Sequence, residues 1–342
     1  MKQLRHVLYV TEPDIALKVE DQVLCAVRGN GEKQKIPFHL LEGIVSFSYA
    51  GITPAVLTAC ASRGIHLTAL TPTGRIRFQV IGETRGNVLL RMRQYELSGQ
   101  TTALPVMRAM LSGKFQNCRK MLERFARNHP GHSTERLEQS CRLLLQEEER
   151  LARATEAEQL LGIEGAAAKA YYKGFGAMIL ADSQAFSFTE RNRRPPKDRC
   201  NAMLSFAYTL LAQECVQALE CVGLDPYVGV LHRERPGKPS LALDLMEELR
   251  PLTADRFVLR LINRKMITPD QFECGNEEGV SLTDVGRKHF LQVWSKWRSQ
   301  TVGLWGGESE VPMGLLPHIQ ANQLAAVFRG EHAAFTPLRW KG

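Results

Sequence analysis

NAMLSFAYTLLAQECVQALECV, Asn201 to Val222, is apolar around most of a helical circumference and halts at Gly223, just before Asp225-Pro226. A helix with so narrow a polar face belongs inside a bundle of other helices. Glycine supplies the left-handed residue on which helices commonly end. The stretch therefore assigns this part of the chain to a helical fold. Further on, Ser240 to Pro251 reads as a second helix, with Ser240 as its N-cap and Pro251 closing it. Upstream, Glu135 to Glu158 carries leucines at helical spacing against dense opposing charge, the pattern of an amphipathic helix with a solvated face.

The character of the chain changes near residue 90. Before it lie short runs rich in β-branched residues: His6 to Val10, Ile15 to Val19, Val23 to Val27, Lys35 to Phe38, Gly43 to Phe47, His66 to Leu70 and Ile76 to Ile81. Alternation in these runs predicts strands, and Asn30-Gly31 predicts a hairpin turn. One helix is expected from Pro54 to Arg63, ended by Gly64. The fold class is thus α+β: residues 1–87 a small, mainly β domain, 88–104 a connector, and 105–342 a larger all-α domain. Beyond Phe335 the pattern is irregular and predicts a mobile tail.

The 342 residues suit two domains. With 44% hydrophobic and 23% charged residues the composition is that of a soluble globular protein. The opening residues lack the apolar run and cleavage site of a secretory signal, and no window approaches a membrane span of about 18 apolar residues. The expected location is the cytoplasm. Eight scattered cysteines without Cys-x-x-Cys spacing predict buried free thiols rather than a zinc site or disulfide framework. A net charge of +8 allows a polyanionic partner without requiring one.

Four segments hold candidate chemistry. Glu164 lies among small residues in Gly162-Ile163-Glu164-Gly165-Ala166, either as a surface charge or as a ligand with room around it. His232 leaves an apolar run and enters the turn Arg233 to Pro239. On the helix that follows, leucines fill more than half the circumference and leave a stripe of Asp244, Glu247 and Glu248. Like charges at this spacing repel unless a cation offsets them, so the stripe is either solvated or a metal site. One imidazole with carboxylate oxygens would suit Mn²⁺ or Mg²⁺. Finally, Arg191, Arg193, Arg194, Lys197 and Arg199 crowd a proline-stiffened loop, either paired with nearby acids or set to meet phosphates. His129 and His132 sit in a Pro-Gly loop with no acidic helix beside them and are set aside.

Taken in order, Gly162-Ile163-Glu164-Gly165, then Arg194-Pro195-Pro196-Lys197-Asp198 with Asn201, Leu204-Ser205-Phe206 and Tyr208, then Gly229 to His232, then Ser240 to Glu247 resemble the CRISPR-associated integrase/endonuclease family. Its members are the larger of the two core adaptation proteins that insert new spacers into CRISPR arrays. The resemblance spans nearly the whole chain, and Leu8-Tyr9-Val10-Thr11 together with the length is most similar to the type I-C subfamily. It implies catalytic metal ligands at Glu164, His232 and Glu247, with Asp244 in support. It also implies that the β domain serves dimerisation and partner contacts. The implied reaction is transesterification, in which the 3′-hydroxyl of a captured DNA fragment attacks a phosphodiester at the repeat, assisted by Mg²⁺ or Mn²⁺. Water in place of the hydroxyl would give cleavage. The implied partners are DNA, a second copy of the chain, a small second adaptation protein and, in type I-C relatives, a nuclease that trims fragment ends. A structure-specific DNA nuclease and a non-catalytic DNA-binding scaffold are the competing readings.

Overall fold

The computed structural model describes residues 5–72, 76–82, 88–98, 103–180, 184–192, 195–275, 279–306 and 310–342. Two compact units emerge: Met1–Arg85 with Leu282–Ser299, and Gly86–Ser281 with Gln300–Gly342.

The first unit contains β1 (His6–Val10), β2 (Ala16–Glu20), β3 (Val23–Val27), β4 (Lys33–Ile36), β5 (Leu41–Ser46), α1 (Pro54–Arg63), β6 (His66–Leu70) and β7 (Ile76–Val80). β1, β5 and β6 pair in parallel and β7 closes their sheet antiparallel, while β2, β3 and β4 form a separate antiparallel meander. Inward residues of both sheets and of α1 (Leu17, Leu24, Ile44, Val56, Cys60 and Leu67 among them) share one core. α1 ends at Gly64 with φ 66°, as its glycine predicts. The β3–β4 hairpin turns over residues 28–32 rather than on a two-residue Asn-Gly turn; Asn30 Oδ1 accepts the Glu32 N–H across it. Pro37 has no N–H to continue the ladder, so β4 stops at Ile36 and Phe38 is buried in a short 3₁₀ turn.

The second unit is built on α2 (Val88–Leu97), α3 (Leu104–Asn128), α4 (Thr134–Arg153), α5 (Ala157–Ala177), α6 (Arg199–Val222), α7 (Ser240–Met246) and α8 (Arg256–Asn263). α3, α4 and α5 pack closely: a Cβ at Gly174 of α5 would meet Leu122 and Ser140 side-chain atoms at 2.8 and 2.9 Å. α6 is buried along most of its length and ends at Gly223 with φ 89°. Where one helix is expected across Glu135 to Glu158, the chain breaks at residues 154–156. Arg108 reaches across to donate to the Ala154 carbonyl at 2.6 Å, satisfying a helix-end acceptor that a charge pattern does not reveal.

Pro251 does not close the helix after residue 240. A π-helical turn, Pro251–Asp255, leads straight into α8. Proline removes one backbone donor from this turn; two residues on, Thr253 Oγ1 donates to the Leu249 carbonyl at 2.8 Å. Ser240 does not cap α7 either; its hydroxyl donates to the Arg233 carbonyl at 3.1 Å.

A short ribbon of β8 (Phe272–Gly275) and β9 (Gly279–Leu282) precedes α9 (Asp284–Arg298); β10 (Thr301–Val302), β11 (Val311–Pro312) and α10 (Leu316–Phe328) follow. α9 belongs to the first unit, whereas a division by chain order places it in residues 105–342. Its Arg298 meets Glu42 at 2.6 Å, with both side chains buried, and its Arg287 donates to the Pro72 carbonyl at 3.0 Å. α2, inside the expected connector 88–104, is helical and belongs to the second unit.

The segment past Phe335 is irregular but anchored. Asn117 donates to the Leu338 carbonyl at 2.8 Å and accepts the Trp340 N–H at 3.0 Å. Trp340 is buried, with the Arg124 and Arg256 guanidinium groups over its ring. All eight thiols are free, five of them buried and Cys141 half-buried. Cys221, in the last turn of α6, and Cys274, in β8, are exposed, against the expectation of burial. No helix among the described residues is long and apolar enough to cross a membrane.

Candidate metal centre

The stripe of Asp244, Glu247 and Glu248 is not solvated: each residue is at most 1% exposed. Their side chains diverge to three different sets of partners, because successive residues of a helix point in different directions.

Glu247 faces α3 and α5. Its Oε2 lies 2.7 Å from Lys114 Nζ, and its Oε1 3.0 Å from Arg250, one turn along the chain. The same Lys114 ammonium is hydrogen-bonded to Glu164 Oε1. A single cation thus bridges two carboxylates 83 positions apart in sequence, Glu164 on α5 and Glu247 just past α7. Burial alone would push the Glu247 carboxyl up; Arg250, Lys114 and His232 outweigh it and hold the group down to about 2. Burial likewise disfavours the Lys114 ammonium, and the two carboxylates raise it again. Glu164 keeps partial exposure, and Gly162 and Gly165 beside it face open space.

Asp244 organises the loop that carries His232. Its Oδ2 accepts the Val230 and Leu231 N–H groups at 2.7 and 3.0 Å, and its Oδ1 accepts the His232 N–H at 3.0 Å. The same Oδ1 is 2.6 Å from His232 Nδ1. A carboxylate accepts, so Nδ1 is the nitrogen that donates to it and Nε2 is the one turned away from Asp244. Gly229 is required here, since a Cβ would sit 2.7 Å from the His232 carbonyl and 2.9 Å from Asp244 Oδ2. Gln94 of α2, fully buried, braces the start of this loop: its amide donates to the Asp225 and Val228 carbonyls at 2.8 and 2.9 Å and accepts the Asp225 N–H.

Behind Glu247, the π-helical turn directs Asp255 inward, where Tyr171 and Tyr208 donate to its two oxygens at 2.8 and 2.6 Å. Burial raises the Asp255 carboxyl against those hydrogen bonds. The Arg250 guanidinium lies over the Tyr208 ring, 5.0 Å from its centroid, tying this floor to Glu247. Lys114, Arg250 and Asp255 do not figure among the residues read from the sequence. Lys114 has a signal after all: a lysine among the buried Met110, Leu111, Phe115 and Cys118 breaks the apolar pattern, as Asn117 does one turn on.

Glu248 points the other way. It accepts from Gln320 and, at 2.9 Å, from the Leu338 N–H. Burial pushes its carboxyl up to about 8. Unfolded, the group titrates near 4.5, so between these limits only the folded state holds the proton. Stability therefore falls as pH rises through that window, by up to about 1.4 kcal/mol per unit. Glu248→Gln, with the Gln320 amide turned over to accept, removes this slope. From pH 6 to pH 8 the wild type is expected to lose about 2 kcal/mol relative to the variant in urea melts. Parallel pH profiles would contradict it.

In the basic loop, Arg191 is spent on Asn201 and Ser205 at 2.8 and 2.9 Å, and Arg199 donates to the Ala185 carbonyl at 2.8 Å. Lys197 is exposed, and Arg193 and Arg194 lie outside the described residues. Asn201 pins the loop by donating to the Glu190 carbonyl and accepting the Asn192 N–H. His129 and His132 face the Phe125 and Ala177 carbonyls, apart from Glu164 and Glu247.

Among the described residues no three His, Cys, Asp or Glu side chains form a ready-made metal cluster. The donor chemistry nevertheless fits a hard divalent ion. Two carboxylates already share one cation, and buried Glu247 Oε2 makes no aligned hydrogen bond even beside Lys114. His232 has the carboxylate-backed imidazole typical of metal-ligating histidines.

Residues 8–296 match the family model for CRISPR associated protein Cas1. The chain is 39% identical to CRISPR-associated endonuclease Cas1 2 of Rhodospirillum rubrum, over all of both chains. It is 36% identical to the CRISPR-associated exonuclease Cas4/endonuclease Cas1 fusion of Geobacter sulfurreducens, matching 96% of this chain and 59% of the fusion. Solved structures share the fold. A CAS1 protein from Thermotoga maritima superposes with TM-score 0.82 at 23% identity, covering 96% of this chain and 98% of that one. A casposase bound to its integration product gives 0.84 at 21%, covering 97% and 92%. A chain of a Cas6-RT-Cas1–Cas2 complex gives 0.83 at 19%, covering all of this chain and 37% of that one.

Proposed function

This chain belongs to the CRISPR associated protein Cas1 family, and from that premise we propose that it is a metal-dependent DNA endonuclease and integrase that joins the 3′-hydroxyl ends of captured fragments into a CRISPR repeat. Supporting the reading most directly is the pair of buried Glu247 and half-buried Glu164, drawn onto one cation, together with a His232 whose Nδ1 is held by Asp244. Glu164, His232 and Glu247 are the residues that would hold Mg²⁺ or Mn²⁺. Such an ion supplies Lewis-acid polarisation of the phosphoryl oxygen and stabilises charge on the attacking or leaving oxygen.

The chain's own residues do the positioning. Asp244 fixes the imidazole tautomer and orientation, so Nε2 presents its lone pair without searching rotamers. Arg250 holds Glu247 from one side, and the Tyr208 ring holds Arg250 from the other. Glu164, the half-buried one of the two carboxylates, is the ligand left with access for a phosphodiester. No protein nucleophile is required, since a DNA 3′-hydroxyl or water attacks directly.

The partners proposed are a second copy of the chain, a small second adaptation protein and an end-trimming nuclease, within a type I-C system in the cytoplasm. The Cas1–Cas2 assembly and the Cas4 fusion among its relatives support the second and third of these. The test supplies a fragment with a free 3′-hydroxyl and a repeat-bearing plasmid. Joined strands are the expected product; cuts without joining would replace the integrase reading with a structure-specific nuclease.

The DNA track is proposed to include Lys197 with Arg193 and Arg194. Replacing both arginines with glutamine should weaken DNA binding and flatten its salt dependence by about one unit per lost phosphate contact. An unchanged slope would remove this loop from the phosphates.

A further inference from the structure

Lys114 is 5% exposed and stands on the inward face of α3, where leucine or methionine would be buried at lower cost. Bringing an ammonium there strips its hydration, and the two groups that compensate it are Glu164 and Glu247. We infer that Lys114 is the resident counter-ion of the metal centre: it holds Glu164 and Glu247 together before a divalent ion arrives, and the ion enters by taking at least one of those carboxylates from the ammonium. The inference rests on the metal reading above and deepens it, naming the chain's own competitor for the site.

Charge sets the direction of the effect. The charges of Glu164 and Glu247 are offset by Lys114 and Arg250, so those two carboxylates offer an incoming dication no uncompensated charge. Lys114 therefore keeps divalent affinity low in the absence of DNA, whose phosphate brings the further negative charge that a loaded site needs. Removing the lysine charge leaves the carboxylates in excess and should tighten metal binding. A unit charge a few ångströms from the ion, even well screened, accounts for about tenfold or more.

The test uses metal-stripped full chain without DNA, with bound and free Mn²⁺ separated by electron paramagnetic resonance. Lys114→Met is expected to bind Mn²⁺ about tenfold or more tighter than wild type, and Lys114→Arg to stay close to wild type. Without metal, Lys114→Met should melt below wild type and gain more on adding Mn²⁺. A folded Lys114→Met that binds Mn²⁺ no tighter overturns the inference. Wild-type Mn²⁺ binding that survives Glu247→Gln would instead overturn the metal reading itself. A measurement on the wild type needs no neutral variant: in protein labelled with ¹⁵N-lysine, the ammonium signal missing from Lys114→Arg should shift when Mg²⁺ is added. A signal that stays in place while Mg²⁺ binds also overturns the inference.

Discussion

Glu247→Ala is expected to lower strand joining by about a thousandfold or more, with DNA affinity unchanged within a few fold. The residue is 1% exposed and makes its contacts inside the site, so it contributes little surface to a DNA track. Its loss has a second effect. Lys114 and Arg250 both lose a buried carboxylate, and breaking such a pair costs about 3 kcal/mol or more because a charge is left uncompensated. Activity must therefore be read on protein shown to be folded. Glu247→Gln, which keeps the shape and one acceptor, separates the two effects: stability recovers in part while joining stays low. Glu164→Ala should lose joining to a similar degree with a smaller stability cost, because Glu164 is partly exposed. Joining within tenfold of wild type in folded Glu247→Ala and Glu164→Ala would sink the assignment and favour a DNA-binding scaffold.

The second large effect is expected at Asp244, fully buried and accepting from three backbone N–H groups and the His232 imidazole. Alanine leaves those donors without an acceptor in a dry site. At about 1–3 kcal/mol for each group left unsatisfied, the total exceeds about 3 kcal/mol, a melting shift of about 10 °C for a unit of this size. Asp244→Asn is the more informative variant. Its amide oxygen still serves the Val230 and Leu231 N–H groups, but its NH₂ now confronts both Nδ1 and the His232 N–H. The imidazole then accepts at Nδ1 and carries its proton on Nε2, the nitrogen needed for a metal. Joining should fall about 10- to 100-fold, with a smaller loss of thermal stability than in Asp244→Ala. An Asp244→Asn enzyme as active as wild type would show that the tautomer does not matter.

The same residues show how far a linear reading reaches. Asp244, Glu247 and Glu248 share one helical stripe, and spacing alone treats them alike. The fold sends Asp244 to a loop 12–14 residues upstream, Glu247 to α3 and α5, and Glu248 to Gln320 and the segment past Phe335. Which side chain does what depends on which element lies opposite, and that is set by tertiary closure. Arg191 illustrates the converse. A run of arginines on a proline-stiffened loop suggests phosphates, yet this guanidinium is committed to Asn201 and Ser205, residues whose role as partners has no linear signature.

Hydropathy period, turn residues and glycine stops were enough to determine the strand-rich first part, α1 with its end at Gly64, and the buried α6 with its end at Gly223. Those are local effects, encoded in the φ/ψ preferences and periodicity of neighbouring residues. The ordered motif pattern likewise determined the family to which the chain belongs. Only the tertiary structure decided that α9 folds back onto the β-rich unit, that a π-helical turn carries the helix through Pro251, and that Lys114 bridges Glu164 and Glu247. Each depends on how whole elements pack. A sequence window contains one partner in such packing and carries no free energy for the other.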